Sequence, residues 1–176
     1  MESVQVEINE VWRSIDGYLN YQVSNIGRVR NTETGKIFKP SVNSNGYYNV
    51  VLRKDGKPYN HKVHRLVAHE FLENPEVTQK LNVDHIDRNK LNNQVTNLRY
   101  ATQSQNMMNR TKSQNTTSKY RGVNFHKKSQ KWVAQIQLNN KNLHLGLFNS
   151  EEAAAETYNT KAMELFGGFA NLHVIV

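Results

Sequence analysis

One stretch near the middle of the chain places an acid, a histidine and several amides at spacings that suit catalysis. Asp84 and His85 are adjacent and follow the short apolar segment 81–83, which predicts a strand. A polar loop rich in Asn comes next, and the pattern of 98–101 predicts a second strand. Because neighbouring side chains of a strand point to opposite faces, Asp84 and His85 can share a site only where the first strand ends.

The second predicted strand leads into the start of a helix. Thr102 suits an N-cap, and Gln105 three residues later completes a capping-box pattern. Asn106 then falls in the first turn or so of that helix. Strand, loop, strand and helix in this order can bring Asp84, His85 and Asn106 to one point.

These residue types predict metal-assisted hydrolysis of a phosphodiester. The carboxylate of Asp84 and the amide oxygen of Asn106 are hard ligands that suit Mg²⁺ or Mn²⁺. His85 can take a proton from an attacking water, because an unperturbed imidazole titrates near neutrality. A hairpin that carries a surface Asp-His pair without a catalytic role is the alternative that the pair alone leaves open.

The spacing resembles that of the HNH nucleases, especially the phage intron-encoded homing endonucleases. Asp84-His85 is followed by Asn97 twelve residues after the His and by Asn106 nine further on. The resemblance implies a ββα-metal unit in which Asp84 and Asn106 bind the metal and His85 is the general base. It also implies that Asn97 holds the loop against the second strand. Many members have His where this chain has Asn106, so the ligand set departs from the commoner one.

The composition restricts the class of protein. A chain of 176 residues with 37% hydrophobic residues predicts small modules, and a net charge of +8 favours a polyanionic partner such as DNA. The absence of Cys excludes disulfides and Cys-ligated zinc, so no zinc is expected. No apolar run approaches the roughly 20 residues of a membrane span, and the N-terminal residues lack a signal-peptide pattern. We therefore expect an intracellular protein with no membrane partner.

Short strands joined by tight turns are predicted for the first third of the chain. Residues 21–24 and 46–52 are strand candidates. Asp55-Gly56 marks a hairpin whose second strand runs over about 58–63.

This N-terminal part resembles NUMOD4, a small module common in HNH homing endonucleases. The resemblance rests on VWRSIDGY at 11–18, YQVSN at 21–25 and GRV at 27–29, and covers roughly residues 10 to 55. Arg28, Arg30 and Lys39 are candidates for phosphate contacts, with solvated strand faces as the equal alternative.

A helix is predicted between the N-terminal strands and the Asp-His pair. Apolar residues at 63, 66, 67 and 71 have helical spacing, and Asn74-Pro75 ends the pattern. We expect Leu66, Val67 and Phe71 to pack under the hairpin. His64 is expected to be structural or to contact phosphate rather than to bind metal.

The segment 110–118 is polar and predicts a linker. Seven Lys or Arg and no acid occur between Arg110 and Lys131. A run of this kind is usually a solvated face, but next to a nuclease it predicts that Arg110 and Lys112 follow a DNA backbone.

The remaining residues predict a separate module with a three-stranded antiparallel sheet covered by a helix. Strands are expected at 121–126, 131–138 and 141–148, with Trp132 and every second residue after it on the covered face. The helix is expected to begin at Ser150 and to end at Gly167-Gly168.

YRGV at 120–123, the Trp132 strand, LGLF at 145–148 and EEAA at 151–154 make this tail similar to an AP2 DNA-binding domain. Such domains lay a three-stranded sheet into the major groove. The residues that the resemblance directs toward DNA are Arg121, Asn124, His126, Lys127, Lys131, Gln135, Gln137, Asn142 and His144. Asn and Gln pair well with adenine edges.

The sequence thus predicts an α+β protein in four segments: a NUMOD4-like β-rich module over 1–56, an HNH nuclease over 57–109, a linker over 110–118 and an AP2-like domain over 119–176. The predicted function is that of a site-specific homing endonuclease, a monomer that acts on double-stranded DNA, with nicking favoured by a single site. We also expect residues 1–118 to fold and cut without the tail.

The alternatives are a DNA-binding regulator with an inactive HNH scaffold and, on charge alone, an RNA-binding protein.

Overall fold

The computed structural model describes residues 9–73, 81–109, 117–138 and 141–175. The chain forms two compact units, Met1–Ala101 and Thr102–Val176. Both contain small antiparallel sheets and few helices, so the predicted α+β class is confirmed.

The first unit begins with two three-stranded antiparallel sheets, of orders β1-β2-β3 and β4-β5-β6. Asp55 and Gly56 form the predicted turn between β5 and β6, both at positive φ (51° and 74°), the conformation that favours an Asp-Gly hairpin. The six strands are β1 Trp12–Ile15, β2 Tyr18–Ser24, β3 Val29–Asn31, β4 Ser41–Val42, β5 Tyr48–Lys54 and β6 Lys57–Lys62.

Helix α1, Val63–Phe71, follows β6 directly. Of the residues expected to pack under the hairpin, Leu66 and Val67 are buried, and Phe71 is partly buried against the same hydrophobic cluster. The second strand of the hairpin ends at Lys62 rather than 63, because Val63 already belongs to the helix. The predicted stop signal at 74–75 lies outside the described residues.

The Asp-His stretch forms a two-stranded hairpin of β7, Asn82–His85, and β8, Leu98–Ala101. The first strand starts one residue later and ends two residues later than predicted. Asp84 lies opposite Arg99 and His85 opposite Leu98 in the register. His85 is the last residue of β7, so the strand ends at the Asp-His pair, as a site shared by both side chains requires.

One hydrophobic cluster holds the first unit together. It unites Val23 of β2, Leu52 of β5, Val67 of α1 and Leu98 of β8, and Leu52 is fully buried. Truncating such a residue to Ala costs about 2–5 kcal/mol. The predicted boundary between residues 56 and 57 falls at the β5–β6 turn. Residues on both sides of it belong to the same hydrophobic cluster. The division into two modules stays a prediction.

The second unit begins with helix α2, Gln103–Met108. Its capping box forms as predicted: the Gln105 amide donates to Thr102 Oγ1 at 3.2 Å, and the Thr102 amide donates to Gln105 Oε1 at 2.8 Å. These two bonds fix the helix start.

A three-stranded antiparallel sheet of order β11-β10-β9 follows, with one face covered by a helix. The strands and the helix are β9 Val123–His126, β10 Lys131–Leu138, β11 Lys141–Phe148 and α3 Glu151–Phe166. Ser150 Oγ accepts from the Ala153 amide, and Gly167 ends α3 at φ +50°, as predicted. Ala134 and Ile136 of β10 are buried in the clusters that contain α3.

The short helix α2 is built into this unit. The guanidinium of Arg121 donates to the carbonyl oxygens of Met108 at 2.8 Å and Met107 at 3.3 Å, which satisfies groups at the helix end. Met108 also packs against the cluster of Ile136 and Tyr158. The third element of the predicted ββα segment therefore depends on residues of the tail.

The end of the predicted linker also belongs to this unit. The hydroxyl of Ser118 donates to Glu151 Oε1 at 2.5 Å, and Thr117 Oγ1 accepts from the Phe125 amide at 3.0 Å. Arg110 and Lys112 lie outside the described residues, so their predicted role stays a prediction. Among the helices that the structure describes, none is long and apolar enough to cross a membrane.

Candidate active site

Asp84 is held by an ion pair across the hairpin. Arg99 lies opposite it in the register, and its Nε and Nη2 lie 2.9 and 2.8 Å from Asp84 Oδ2. The Asp84 side chain is only 6% exposed. A buried carboxylate that accepts two charge-assisted hydrogen bonds from one guanidinium is fixed in orientation.

His85 is oriented by an amide from the loop that follows. Its Nε2 lies 3.0 Å from Oδ1 of Asn93, and both residues are buried. An amide oxygen only accepts, so Nε2 carries the ring proton. In the neutral imidazole, the lone pair is then on Nδ1, the nitrogen that can act as a base.

Asn97 closes the loop between the two strands. Its Oδ1 accepts from the Asp87 amide at 2.9 Å, and its Nδ2 donates to Asp87 Oδ1 and to the Asn92 carbonyl, both at 2.8 Å. Burial would raise the pKa of Asp87, but hydrogen bonds from Asn92, the Asn89 amide and Asn97 lower it overall. These contacts tie Asp87 and Asn92 of the loop to the residue before β8, and the role that the resemblance implies for Asn97 stays a prediction.

A second histidine packs on His85. The ring of His64 lies 5.0 Å from that of His85 and 4.8 Å from that of Tyr47. Burial, followed by the nearby basic side chains of His85, Lys62 and Arg65, lowers the pKa of His64 to about 3. Its buried Nδ1 has no hydrogen-bond partner within the described part of the chain. His64 is thus a neutral ring in this cluster.

Tyr47 is a residue that the sequence analysis did not single out. It precedes β5, and its ring lies 5.9 Å from that of His85. The Nζ atoms of Lys62 and Lys90 lie 5.0 and 4.8 Å from its centroid. Tyr47, Lys62 and Lys90 lie far apart in the sequence, so no local pattern could have predicted that they meet.

Asn106 lies in α2 and therefore in the second unit, whereas Asp84, His85 and Asn97 lie in the first. Asp84 and Asn106 each offer an oxygen donor, which is the ligand type of a hard cation. Mg²⁺ usually keeps several water ligands, so it needs few ligands from the protein. Among the described residues, no group of three or more His, Cys, Asp or Glu could hold a metal.

Most of the predicted DNA-facing residues of the tail share one face of its sheet. Cross-strand partners lie on the same face, and this face is opposite the one that packs on α3. The residues on it are Asn124, His126, Lys131, Gln135, Gln137, Asn142 and His144. Lys127 is exposed in the turn after β9. Arg121 differs, because its guanidinium binds the end of α2. The AP2 resemblance and these contacts to DNA stay predictions.

Comparisons with known proteins agree with this architecture. Residues 10–53 match the NUMOD4 motif and residues 61–108 match an HNH endonuclease family. The chain is 46% identical to DNA endonuclease I-HmuI of Bacillus phage SP01 over 99 residues, covering 56% of each chain. It is 41% identical to the uncharacterized HNH endonuclease L247 of Acanthamoeba polyphaga mimivirus over 102 residues, which is 56% of this chain and 25% of that one.

A solved structure is also similar. It is described as "DNA binding and cleavage by the HNH homing endonuclease I-HmuI", and it matches with a TM-score of 0.54 and 31% identity over 93% of both chains. By sequence alone, the chain spans about half the length of I-HmuI and a quarter of L247. The two motif matches, the identity and the shared fold place this chain in the HNH homing endonuclease family.

Proposed function

We propose that the protein is a metal-dependent DNA endonuclease that hydrolyses a phosphodiester at the β7–β8 hairpin. The observation that carries the proposal is the orientation of His85 by Asn93, next to an Asp84 fixed by Arg99. Membership of the family supports DNA as the substrate, as does the likeness to the structure of I-HmuI, an enzyme described as binding and cleaving DNA.

In the proposed reaction, Nδ1 of His85 takes a proton from a water molecule as the water oxygen bonds to phosphorus. The P–O bond to the leaving sugar oxygen breaks, and that oxygen takes a proton from solvent. Asp84 and Asn106 are the proposed ligands of one divalent ion, Mg²⁺ or Mn²⁺. When bound, the ion would offset charge on the phosphate and on the leaving oxygen.

Each residue of the hairpin has a defined part in this proposal. Asn93 keeps the proton on Nε2 of His85, so the basic nitrogen is the other one. Arg99 holds the Asp84 carboxylate in place. Asn97 holds the loop that joins the two strands. We further propose that the sheet face of the tail reads the target, that the protein acts as a monomer and that it nicks one strand.

The test is cleavage of supercoiled plasmid that carries a target site. The wild type should relax the plasmid in Mg²⁺ or Mn²⁺ and stop in EDTA. His85→Ala should lower the rate about 10²–10⁴-fold, the usual contribution of a general base, with DNA affinity within a few fold. His69→Ala is the matched control, since that imidazole is exposed and lies outside the cluster.

Cleavage in EDTA would contradict the metal, and a wild-type rate for His85→Ala would contradict the base. A gel shift without cleavage under all ionic conditions would support the regulator instead. Mapping the cut ends on both strands distinguishes nicking from a double-strand cut.

A further inference from the structure

Two lysines from distant parts of the first unit converge on one tyrosine ring. Lys62 ends β6, Lys90 lies in the loop after β7, and both Nζ atoms lie about 5 Å from the centroid of Tyr47. Lys90 is fixed further, because its Nζ donates to the carbonyl of Asn45 at 3.0 Å. Cation–π contacts hold each ammonium at the ring.

This arrangement concentrates positive charge without neutralising it. Neither Lys62 nor Lys90 forms an ion pair with an acid of the described ranges. Two ammoniums near one ring repel each other, and an anion between or beside them would remove that repulsion. The positive neighbours that lower the pKa of the adjacent His64 include Lys62, which agrees with a positive potential at this point.

The same ring is part of the proposed active site. The Tyr47 centroid lies 5.9 Å from that of His85 and 4.8 Å from that of His64. An anion held by the lysines would therefore lie beside the base. Lys is a common point-charge binder of phosphate, and the phosphates of the backbone carry most of the charge that a nuclease must meet.

We propose that Lys62 and Lys90, supported by the Tyr47 ring, form a phosphate-binding site for the DNA backbone next to His85. The site deepens the proposed function and rests on it for the identity of the ligand. It positions the strand by charge and reads no sequence, because phosphate contacts carry none.

The test measures DNA affinity against salt concentration in EDTA, so that binding is separated from cleavage. Lys62→Gln and Lys90→Gln should each reduce the slope of log K against log[salt] by about 0.9, the value for one phosphate contact, and the double variant by about twice that. Lys57→Gln is the matched control, an exposed lysine at the start of the same strand β6. Lys90→Arg keeps the charge and should restore most of the affinity.

The ring has its own pair of variants. Tyr47→Leu should lose affinity, because it removes the aromatic face that both ammoniums contact, and Tyr47→Phe, which keeps that face, should lose less. Thermal melts of all variants show whether the fold is kept, and the Lys90→Arg rescue separates charge from folding.

Slopes for Lys62→Gln and Lys90→Gln equal to that of Lys57→Gln would overturn the site. If the wild type never cleaves but the two variants still lose slope, the phosphate site stands and the nuclease assignment fails. If the wild type cleaves and both variants bind and cleave as it does, the assignment stands and the site fails.

Discussion

Gly27 lies against Asn93, the residue that orients His85. A Cβ built on Gly27 would lie 2.8 Å from Asn93 Cβ, and the Gly27 backbone has φ +85°. The same turn is tied to the loop by the Val95 amide, which donates to the Asn25 carbonyl at 2.7 Å. The turn between β2 and β3 therefore packs against Asn93, the residue that positions the His85 imidazole.

Gly27→Ala should displace Asn93 and loosen the hydrogen bond to His85. We expect slower cleavage with little change in DNA affinity, and a changed proportion of the two His85 tautomers in ¹⁵N NMR. Gly35→Ala is the control, because Gly35 also has positive φ (+68°) but no described atom lies within 4 Å of its added Cβ. Both variants carry backbone strain of about 1–2 kcal/mol, so equal cleavage rates and equal tautomers in the two would contradict the positioning role.

The stability of the first unit should fall in mild acid because of His64. Its folded pKa of about 3 is below the ordinary 6.5, so between these values the unfolded chain binds a proton that the folded chain does not. Stability is complete above pH 6.5 and falls with acid by at most about 1.4 kcal/mol per pH unit. The other groups that act on His64 are the basic side chains of His85, Lys62 and Arg65, and each lowers its pKa in the same direction as burial does.

Urea unfolding at pH 7.5 and 5.5 checks this expectation. In a Trp132→Phe background, Trp12 is the only tryptophan and reports on the first unit. His64→Phe in the same background should flatten the dependence on pH. An equal loss with and without His64 would assign the effect to other groups.

Gly122→Ala should destabilise the second unit severely. The new Cβ would lie 2.3 Å from Tyr158 Cε2 and 2.4 Å from the Gln135 carbonyl oxygen, and Gly122 has φ +73°. The backbone cannot easily retreat, because the Gly122 carbonyl accepts from the Gln135 amide at 2.8 Å. We expect a loss of about 3 kcal/mol or more, from overpacking and strain together.

Gly167→Ala is the matched control in the same unit, since its φ is also positive and nothing in the described ranges lies within 4 Å of the added atom. Trp132 fluorescence in a Trp12→Phe background reports the unfolding of this unit. Similar melting temperatures for the two variants would contradict the proposed clash.

Removing residues 119–176 should unfold α2 rather than leave it intact. The truncation removes Arg121 and the cluster that packs on Met108, and a six-residue helix is marginal in water without packing. Hydrogen exchange of the Asn106 and Asn109 amides should become fast, and cleavage should fall if Asn106 is a metal ligand. Arg121→Gln should raise the same exchange rates to a smaller extent. Full protection in the truncated chain would restore the expectation that residues 1–118 suffice.

Much of the fold could be predicted because its signals are local. The alternation of β10, the Asp55-Gly56 turn and the capping box of Thr102 with Gln105 depend on residues a few positions apart. The Asp84, His85 and Asn97 set came from family spacing. The geometry of that set depends on long-range contacts that cannot be predicted from residue spacing.

Those contacts join residues far apart in the chain. Asn93 orients His85, and Gly27, 66 residues earlier, leaves room for Asn93. Tyr47 meets His64 and His85 through the packing of separate strands. Arg121 binds the last carbonyls of α2, although sequence reasoning assigned it to DNA. Long-range packing of this kind is not encoded in a local pattern.

The attachment of α2 to the tail sets a rule for chimeras with related endonucleases. A graft joined at residue 118 would pair a native α2 with a foreign sheet that lacks the partner for its last carbonyls. A graft joined between Ala101 and Thr102 would transfer α2 together with Arg121 and the packing of Met108. A segment exchanged between such proteins should therefore start at the capping box of Thr102, and exchange of the tail sheet then exchanges α2 with it.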